Sequence, residues 1–233
     1  MLENLFNRVS EDVLTRLALV IDFDGTITTE DVGLQIITEF GLAGWDEGIV
    51  RYRSGEFGSR ELHEWEAAYL SSAQESDMQD FAREKGEIRP GFKELIAYAR
   101  SHDIPLEIAS SGWSFYIDAI LGKFELTEVP YISAKADFTL GDVAVFAPSP
   151  RAKLCDINGI CKCDRVRPLQ SDDYKVVFIG DGLSDFCVSE QADVIFATRS
   201  LRKHCEDNQI EFTPFEDFHD VLRALEELQK TEA

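Results

Sequence analysis

The chain has 233 residues, about one and a half times a domain of roughly 150, so it is one domain with an insertion or two small ones. Hydrophobic residues make up 44% and charged residues 29%, a globular composition that excludes a disordered or fibrous chain. The 23 Lys and Arg against 44 Asp and Glu give a formal charge of −21, which excludes general binding to nucleic acid or anionic lipid but leaves room for a small phosphorylated ligand where a metal ion or local cations invert the field.

Leu17–Phe23 (LALVIDF) predicts the first buried strand. Residues Val32 to Arg89 show no strand pattern but several amphipathic helical ones, around Trp45, Tyr52, Trp65, Tyr69 and Phe81. That is too long for a crossover and predicts an inserted helical unit. Gly91–Ser101 reads as a helix, Pro105–Ala109 as a strand and Ser114–Leu121 as a helix. Tyr131–Phe146 shows two alternating segments around a Gly-Asp turn, which predicts a β-hairpin flap. Strands follow at Lys175–Ile179, Asp193–Ala197 and, more weakly, Glu211–Phe215, with a closing helix over Phe215–Lys230. Strands alternating with helices predict a three-layer α/β fold, a Rossmann-like parallel sheet core. The core is expected over residues 1–31 and 90–233, with the helical insertion over 32–89.

Parallel sheets bind ligands at the carboxyl ends of their strands. After the first strand stands Asp22-Phe23-Asp24-Gly25-Thr26, after the second Ser110-Ser111-Gly112, and after the third Gly180-Asp181-Gly182-Leu183-Ser184-Asp185. Four converging carboxylates need a compensating cation, and an all-oxygen ligand set suits Mg²⁺, which also bridges to phosphate oxygens.

DFDGT after an apolar strand, Ser110 after a second, a lysine, and GDGLSD after a third resemble the four motifs of the haloacid dehalogenase superfamily, in matching order over almost the whole chain. The helical insertion resembles the cap of the phosphoserine-phosphatase-like branch. Within it, DFDGTIT, the Ser-x-Gly second motif and IGDGLSDFCVSEQADVIFA look closest to methionine-salvage phosphatases acting on a hydroxyketo-methylthiopentenyl phosphate. CDINGICK is also similar to the Cys-rich stretch of phosphoethanolamine- and phosphocholine-type phosphatases, with one residue more between the cysteines.

The resemblance implies Asp22 as a nucleophile that forms an aspartyl-phosphate, and Asp24 as the acid and base for leaving alcohol and water. It implies Mg²⁺ held by the Asp22 side chain, the Asp24 backbone carbonyl and Asp181, with Asp185 completing or orienting the site. Ser110 and the N–H groups of Ser111 and Gly112 would cradle the phosphoryl oxygens. Lys162 would neutralise charge at the phosphate, with Lys153 as the other candidate. Selectivity would come from the cap. There Asp31 stands where phosphoserine phosphatases carry a Glu but reads equally as a helix N-cap, and Arg53 and Arg60 are nearby cations beside Arg51. Trp113 is a candidate pocket wall.

Cys155, Cys161 and Cys163 crowd one loop without a CxxC pair, which favours free thiols over a zinc site. The expected partner is a small phosphorylated metabolite, with no nucleic acid and no membrane. No run nears the roughly 20 apolar residues that span a bilayer, and the first residues lack a basic segment followed by an apolar one, so a cytoplasmic location is expected. The expected activity is Mg²⁺-dependent phosphomonoester hydrolysis. The alternatives are a phosphomutase with the same aspartyl-phosphate chemistry and a non-catalytic binding protein on this scaffold.

Overall fold

The computed structural model describes residues 16–139, 143–146 and 161–231. Lys153, Cys155 and the Gly141-Asp142 turn lie outside the described residues. The strands are β1 (Arg16–Ile21), β2 (Leu106–Trp113), β3 (Tyr131–Asp137), β4 (Ala144–Phe146), β5 (Tyr174–Gly180), β6 (Val194–Ala197) and β7 (Thr213–Pro214). They form one sheet in the order β4-β3-β2-β1-β5-β6-β7. All neighbours pair in parallel except β3 and β4.

Side chains alternate across the sheet and build its two apolar layers. Leu17, Leu19 and Ile21 of β1, with Val177 and Ile179 of β5, join one buried cluster. It is completed by α5 (Phe92–Ser101), α6 (Ser114–Lys123) and α10 (Phe218–Thr231). Val20, Val176 and Phe178 face the opposite way and pack with Val166 of α7 (Cys163–Ser171), Val188 of α8 (Phe186–Ser189) and Leu201 of α9 (Arg199–Asn208). Burial on both faces is why these strands read as continuous apolar runs.

Between β1 and β2 the chain forms α1 (Val32–Phe40), α2 (Asp46–Arg53), α3 (Ser59–Ala68) and α4 (Glu75–Lys85). Its two connections run side by side, with Thr28 and Ile88 bridged and the Thr29 N–H donating to the Glu87 carbonyl at 2.9 Å. The Arg89 guanidinium donates to the carbonyls of Gly25 (2.6 Å), Thr26 (2.8 Å) and Glu216 (2.7 Å), tying the exit of the insertion to the first motif.

Four sequence expectations change. Strand β2 runs on through Ser110, Ser111 and Gly112 to Trp113, where the sequence pattern ends it at Ala109, and its register shifts between Ala109 and Trp113. The hairpin is not a free flap: β3 pairs with β2 (Ile108 opposite Tyr131) before it pairs antiparallel with β4. The last helix begins at Phe218, not Phe215, because Phe215 is a buried loop residue packed on Phe218. The fifth strand shrinks to Thr213–Pro214 at the sheet edge.

Candidate active site

Strand order reverses between β1 and β5, whose carboxyl ends therefore open a crevice where consecutive connections leave in opposite directions. The Asp22 N–H donates to the Ile179 carbonyl at 2.9 Å, locking the end of β1 to β5. The chain then turns over Phe23–Ile27, with Gly25 at φ 72°. A Cβ on Gly25 would overlap the Asp181 carboxylate, so the glycine both permits the left-handed turn and lets the first and fourth motifs close on each other.

Lys162 stands at the N-cap of α7 and is 1% exposed. Its ammonium donates to Asp22 Oδ1 at 2.5 Å, to Ser184 Oγ at 3.1 Å and to Asp185 Oδ1. Asp185 Oδ2 accepts from the N–H groups of Asp181 and Gly182, each at 3.0 Å. Both oxygens of Asp185 are thus taken, which makes it an orienting group for Lys162 and for the Asp181 backbone. Thr26 Oγ1 lies 3.4 Å from Asp22 Oδ2 and 3.3 Å from Asp181 Oδ1. Burial opposes the Lys162 charge, but Asp185 and Asp22 outweigh it and raise its pKa.

Asp22, Asp181 and Asp185 are buried, with ligand oxygens within 4.8 Å of one another, the only such group of metal-capable side chains among the described residues. Burial first, then Asp185, push Asp22 from 3.8 to about 6 despite Lys162. Burial, then Asp22 and Asp185, push Asp181 to about 9. Arg199 reaches only to 3.8 Å from Asp181. Three carboxylates share one buried ammonium, that of Lys162, so the cluster is short of positive charge, and its hard oxygen donors fit a divalent cation such as Mg²⁺.

This gives a pH dependence with a definite sign. A carboxyl whose pKa rises on folding contributes stability that is complete below 3.8 and lost as pH climbs through its folded value, here about 6 and then about 9. A cation competes with those protons. Mg²⁺ should therefore raise the melting temperature more at about pH 8 than at about pH 5. An equal Mg²⁺ shift in melting scans at both values would contradict the assignment.

Ser110, Ser111 and Gly112 close one wall of the crevice. Ser110 is buried and accepts from the Gly112 N–H at 2.9 Å, while Ser111 Oγ is buried without a hydrogen-bond partner among the described residues. Asp24 faces them. Its Oδ1 accepts from the N–H groups of Val32 (3.0 Å) and Gly33 (3.4 Å) at the start of α1, and its Oδ2 accepts from the Tyr116 hydroxyl at 2.5 Å. Burial, with the charge of Asp31 next, pushes Asp24 up to about 8 against the Tyr116 hydrogen bond.

These groups line a cavity of about 500 Å³ that reaches under α1–α3. Asp31 lines it while capping α1 through the Leu34 N–H at 2.8 Å, and exposed Arg53 lines its rim. Arg60 does not line it. On α3 the cavity face is Ser59, Leu62, His63 and Glu66, and Arg60 falls on the exposed side of that helical period. Arg51 is engaged with Glu47 and Glu56. Trp113 is buried on the cavity wall, with His63 edge-on to it at 5.8 Å.

The described cysteines do not line the cavity: Cys161, Cys163 and Cys205 join the buried cluster with Val166 and Leu201, although Cys161 and Cys163 flank Lys162. Cys163 Sγ lies 3.3 Å from Cys187 Sγ, and no disulfide joins the described cysteines. Sequence reasoning missed Tyr116, His63, Glu66 and Arg199. The spacing of residues 59, 62, 63 and 66 along α3 could have signalled its inward face.

The model of the family described as haloacid dehalogenase-like hydrolases matches residues 19–190. A 2-hydroxy-3-keto-5-methylthiopentenyl-1-phosphate phosphatase of Brevibacillus brevis is 31% identical over 216 residues, 92% of this chain and 97% of the relative. One of Bacillus mycoides is 34% identical over 208 residues, 89% and 94% of the two chains. Among solved structures, a substrate-bound phosphoserine phosphatase complex is similar with a TM-score of 0.65 at 15% identity, covering 90% of this chain and 98% of that one. A probable phosphoserine phosphatase from Vibrio cholerae has a TM-score of 0.68 at 20% identity, covering 96% and 69%.

Proposed function

The chain belongs to the haloacid dehalogenase-like hydrolase family, and from that premise we propose that it hydrolyses a small phosphate monoester by way of an aspartyl-phosphate on Asp22. The observation that carries this is the buried Lys162, shared between Asp22 and Asp185 directly behind a cavity that Asp22, Asp24 and Gly112 all line.

In the first step a carboxylate oxygen of Asp22 bonds to phosphorus as the ester P–O bond breaks, and Asp24 delivers its proton to the departing oxygen. In the second, Asp24 takes a proton from water as that water attacks phosphorus, and Asp22 is released as carboxylate. Asp24 at about 8 holds a proton near neutral pH and so starts as the acid. The Ser111 N–H, and the Gly112 N–H once it exchanges Ser110 Oγ for the ligand, would receive the phosphoryl oxygens, while Lys162 would balance the charge that returns to Asp22 in the second step. Bound beside the side chains of Asp22 and Asp181 and the Asp24 carbonyl, Mg²⁺ would supply charge neutralisation for the phosphoryl group. Residues 32–89 act as a cap that excludes bulk water and reads the alcohol half of the substrate.

For the substrate we favour the methionine-salvage ester that the relatives' names state. Leu34, Ile37, Leu62, Leu70, Trp113 and Phe115 form an apolar wall suited to a methylthio end. His63, pushed down to about 4 by burial, and Glu66, pushed up to about 8 by burial and by Asp31, are both neutral near pH 7. A neutral imidazole and a protonated carboxyl suit hydroxyl and keto oxygens. A charged phosphate ester of that kind, which does not cross membranes unaided, supports a cytoplasmic location.

The test is phosphate release from a panel comprising the methylthiopentenyl ester, phosphoserine, phosphocholine, glycerol phosphate and para-nitrophenyl phosphate, with Mg²⁺ or with EDTA. Release is expected only with Mg²⁺ and fastest from the first ester. A phosphoserine preference would overturn the substrate, and discharge of the phosphoenzyme by a sugar phosphate rather than water would make the protein a mutase.

A further inference from the structure

We propose that Tyr116 is a positioning residue for Asp24, holding the acid/base carboxyl against the phosphate cradle through a hydrogen bond for which Gly112 makes room. The inference rests on the reading of Asp24 as the acid and base.

Tyr116 lies on α6, 92 positions from Asp24 in the chain, and is 2% exposed. Its hydroxyl meets Asp24 Oδ2 at 2.5 Å and sits between two glycines. A Cβ on Gly112 would overlap the hydroxyl and come to 2.7 Å from Asp24 Oδ2, and a Cβ on Gly33 would come to 2.9 Å from the hydroxyl. Neither glycine adopts a left-handed φ, so what they provide here is space. The second motif therefore does more than cradle phosphate: its Gly112 admits the tyrosine that fixes the carboxyl of the first.

The hydrogen bonds divide the two oxygens of Asp24. Oδ1 is saturated by the Val32 and Gly33 N–H groups, so Oδ2, beside Gly112, is the oxygen left to carry the transferable proton. A carboxyl oxygen has two lone pairs. Tyr116 occupies one and leaves the other for the proton that passes to the leaving group in the first step and comes from water in the second. A hydroxyl donor serves both states without changing charge. Without it, only the Oδ1 contacts, one of them at 3.4 Å, would resist rotation about the broad terminal torsion of Asp24, and a misplaced acid loses most of its effect.

General-acid assistance matters most when the leaving group is poor. The test is Tyr116→Phe, assayed with Mg²⁺ on glycerol phosphate, whose alcohol is a poor leaving group, and on para-nitrophenyl phosphate, whose phenolate leaves unaided. The expected result is a fall in kcat/KM, which reports formation of the phosphoenzyme and not its hydrolysis, of about 10–100-fold on the alkyl ester and at most a few-fold on the aryl ester. The ratio of the two losses does not depend on how much of the variant is folded. In an Asp24→Asn background the same substitution should cost nothing further on the alkyl ester, because the group it positions is already gone.

Equal losses on both esters, or additive losses in the double variant, would overturn the inference while leaving the phosphatase reading in place. Wild-type protein that releases phosphate from no ester of the panel would overturn that reading and this inference with it.

Discussion

Asp22→Asn is expected to reduce phosphate release on the order of 10⁴-fold or more, because it removes the atom that bonds to phosphorus and leaves the rest of the cavity in place. The same substitution should not destabilise the metal-free protein near neutral pH. Asp22 titrates at about 6 because burial and Asp185 penalise its charge, so a neutral side chain of the same shape relieves repulsion. Activity by phosphate assay and stability by urea unfolding in EDTA should therefore separate. Borohydride reduction of the phosphoenzyme should convert Asp22 to homoserine in the wild type, with loss of phosphate, and leave the variant side chain unchanged. Release that survives the substitution would remove Asp22 as nucleophile.

Lys162→Met is expected to damage both properties. It removes the ammonium that donates to Asp22 and Asp185 and leaves two buried carboxylates facing each other without their cation. Breaking a buried pair from one side costs about 3–5 kcal/mol, and losing one preorganised donor at the reacting oxygens lowers kcat by about 10²–10³-fold. The sign with pH follows. Loss of the lysine removes a group that holds the Asp22 pKa down, so the folded variant takes up a proton there more readily and its deficit shrinks as pH falls. Urea midpoints for wild type and variant should lie closer at about pH 5 than at about pH 8. A constant gap would mean that Lys162 acts by packing rather than by charge. A variant as active as the wild type would pass the phosphate-site role to another lysine.

Together with the Tyr116 hydrogen bond, these results would assign separate duties to three elements of the crevice. The end of β1 supplies the nucleophile and the acid, the start of α7 supplies the cation, and α6 holds the acid in place. At the start of the helical insertion the first N–H groups of α1 bind Asp24. Under the proposed mechanism, closure of the cap would therefore be linked to the orientation of the acid through the same carboxyl.

The family and the α/β class were legible because their signals are local. LALVIDF is apolar on both faces since β1 lies in mid-sheet, and KVVFI reads alike for the same reason. DFDGT and GDGLSD each crowd carboxylates into one turn, which a chain tolerates only where something compensates them. The long gap between motifs showed the helical insertion.

What stayed hidden depends on faces and distances. Arg60 and Glu66 share one short helix whose spacing hints at one face, and packing shows that this face, with Glu66 and without Arg60, lines the cavity. Tyr116 reads as one more apolar residue of SFYIDAIL, and its bond to Asp24 exists because β2 lies next to β1 and delivers α6 to the end of it. Phe215 counts as helical by its spacing but belongs to a buried loop.

By itself, then, the sequence determined most of the elements, the order of the motifs and the gathering of carboxylates and hydroxyls at the strand ends, because each is written within a few consecutive residues. The tertiary structure decided which carboxyl oxygen each donor reaches, that Lys162 is shared by Asp22 and Asp185, and which cap side chains look inward. Those are contacts between residues far apart in the chain, and strand order and burial alone bring them together.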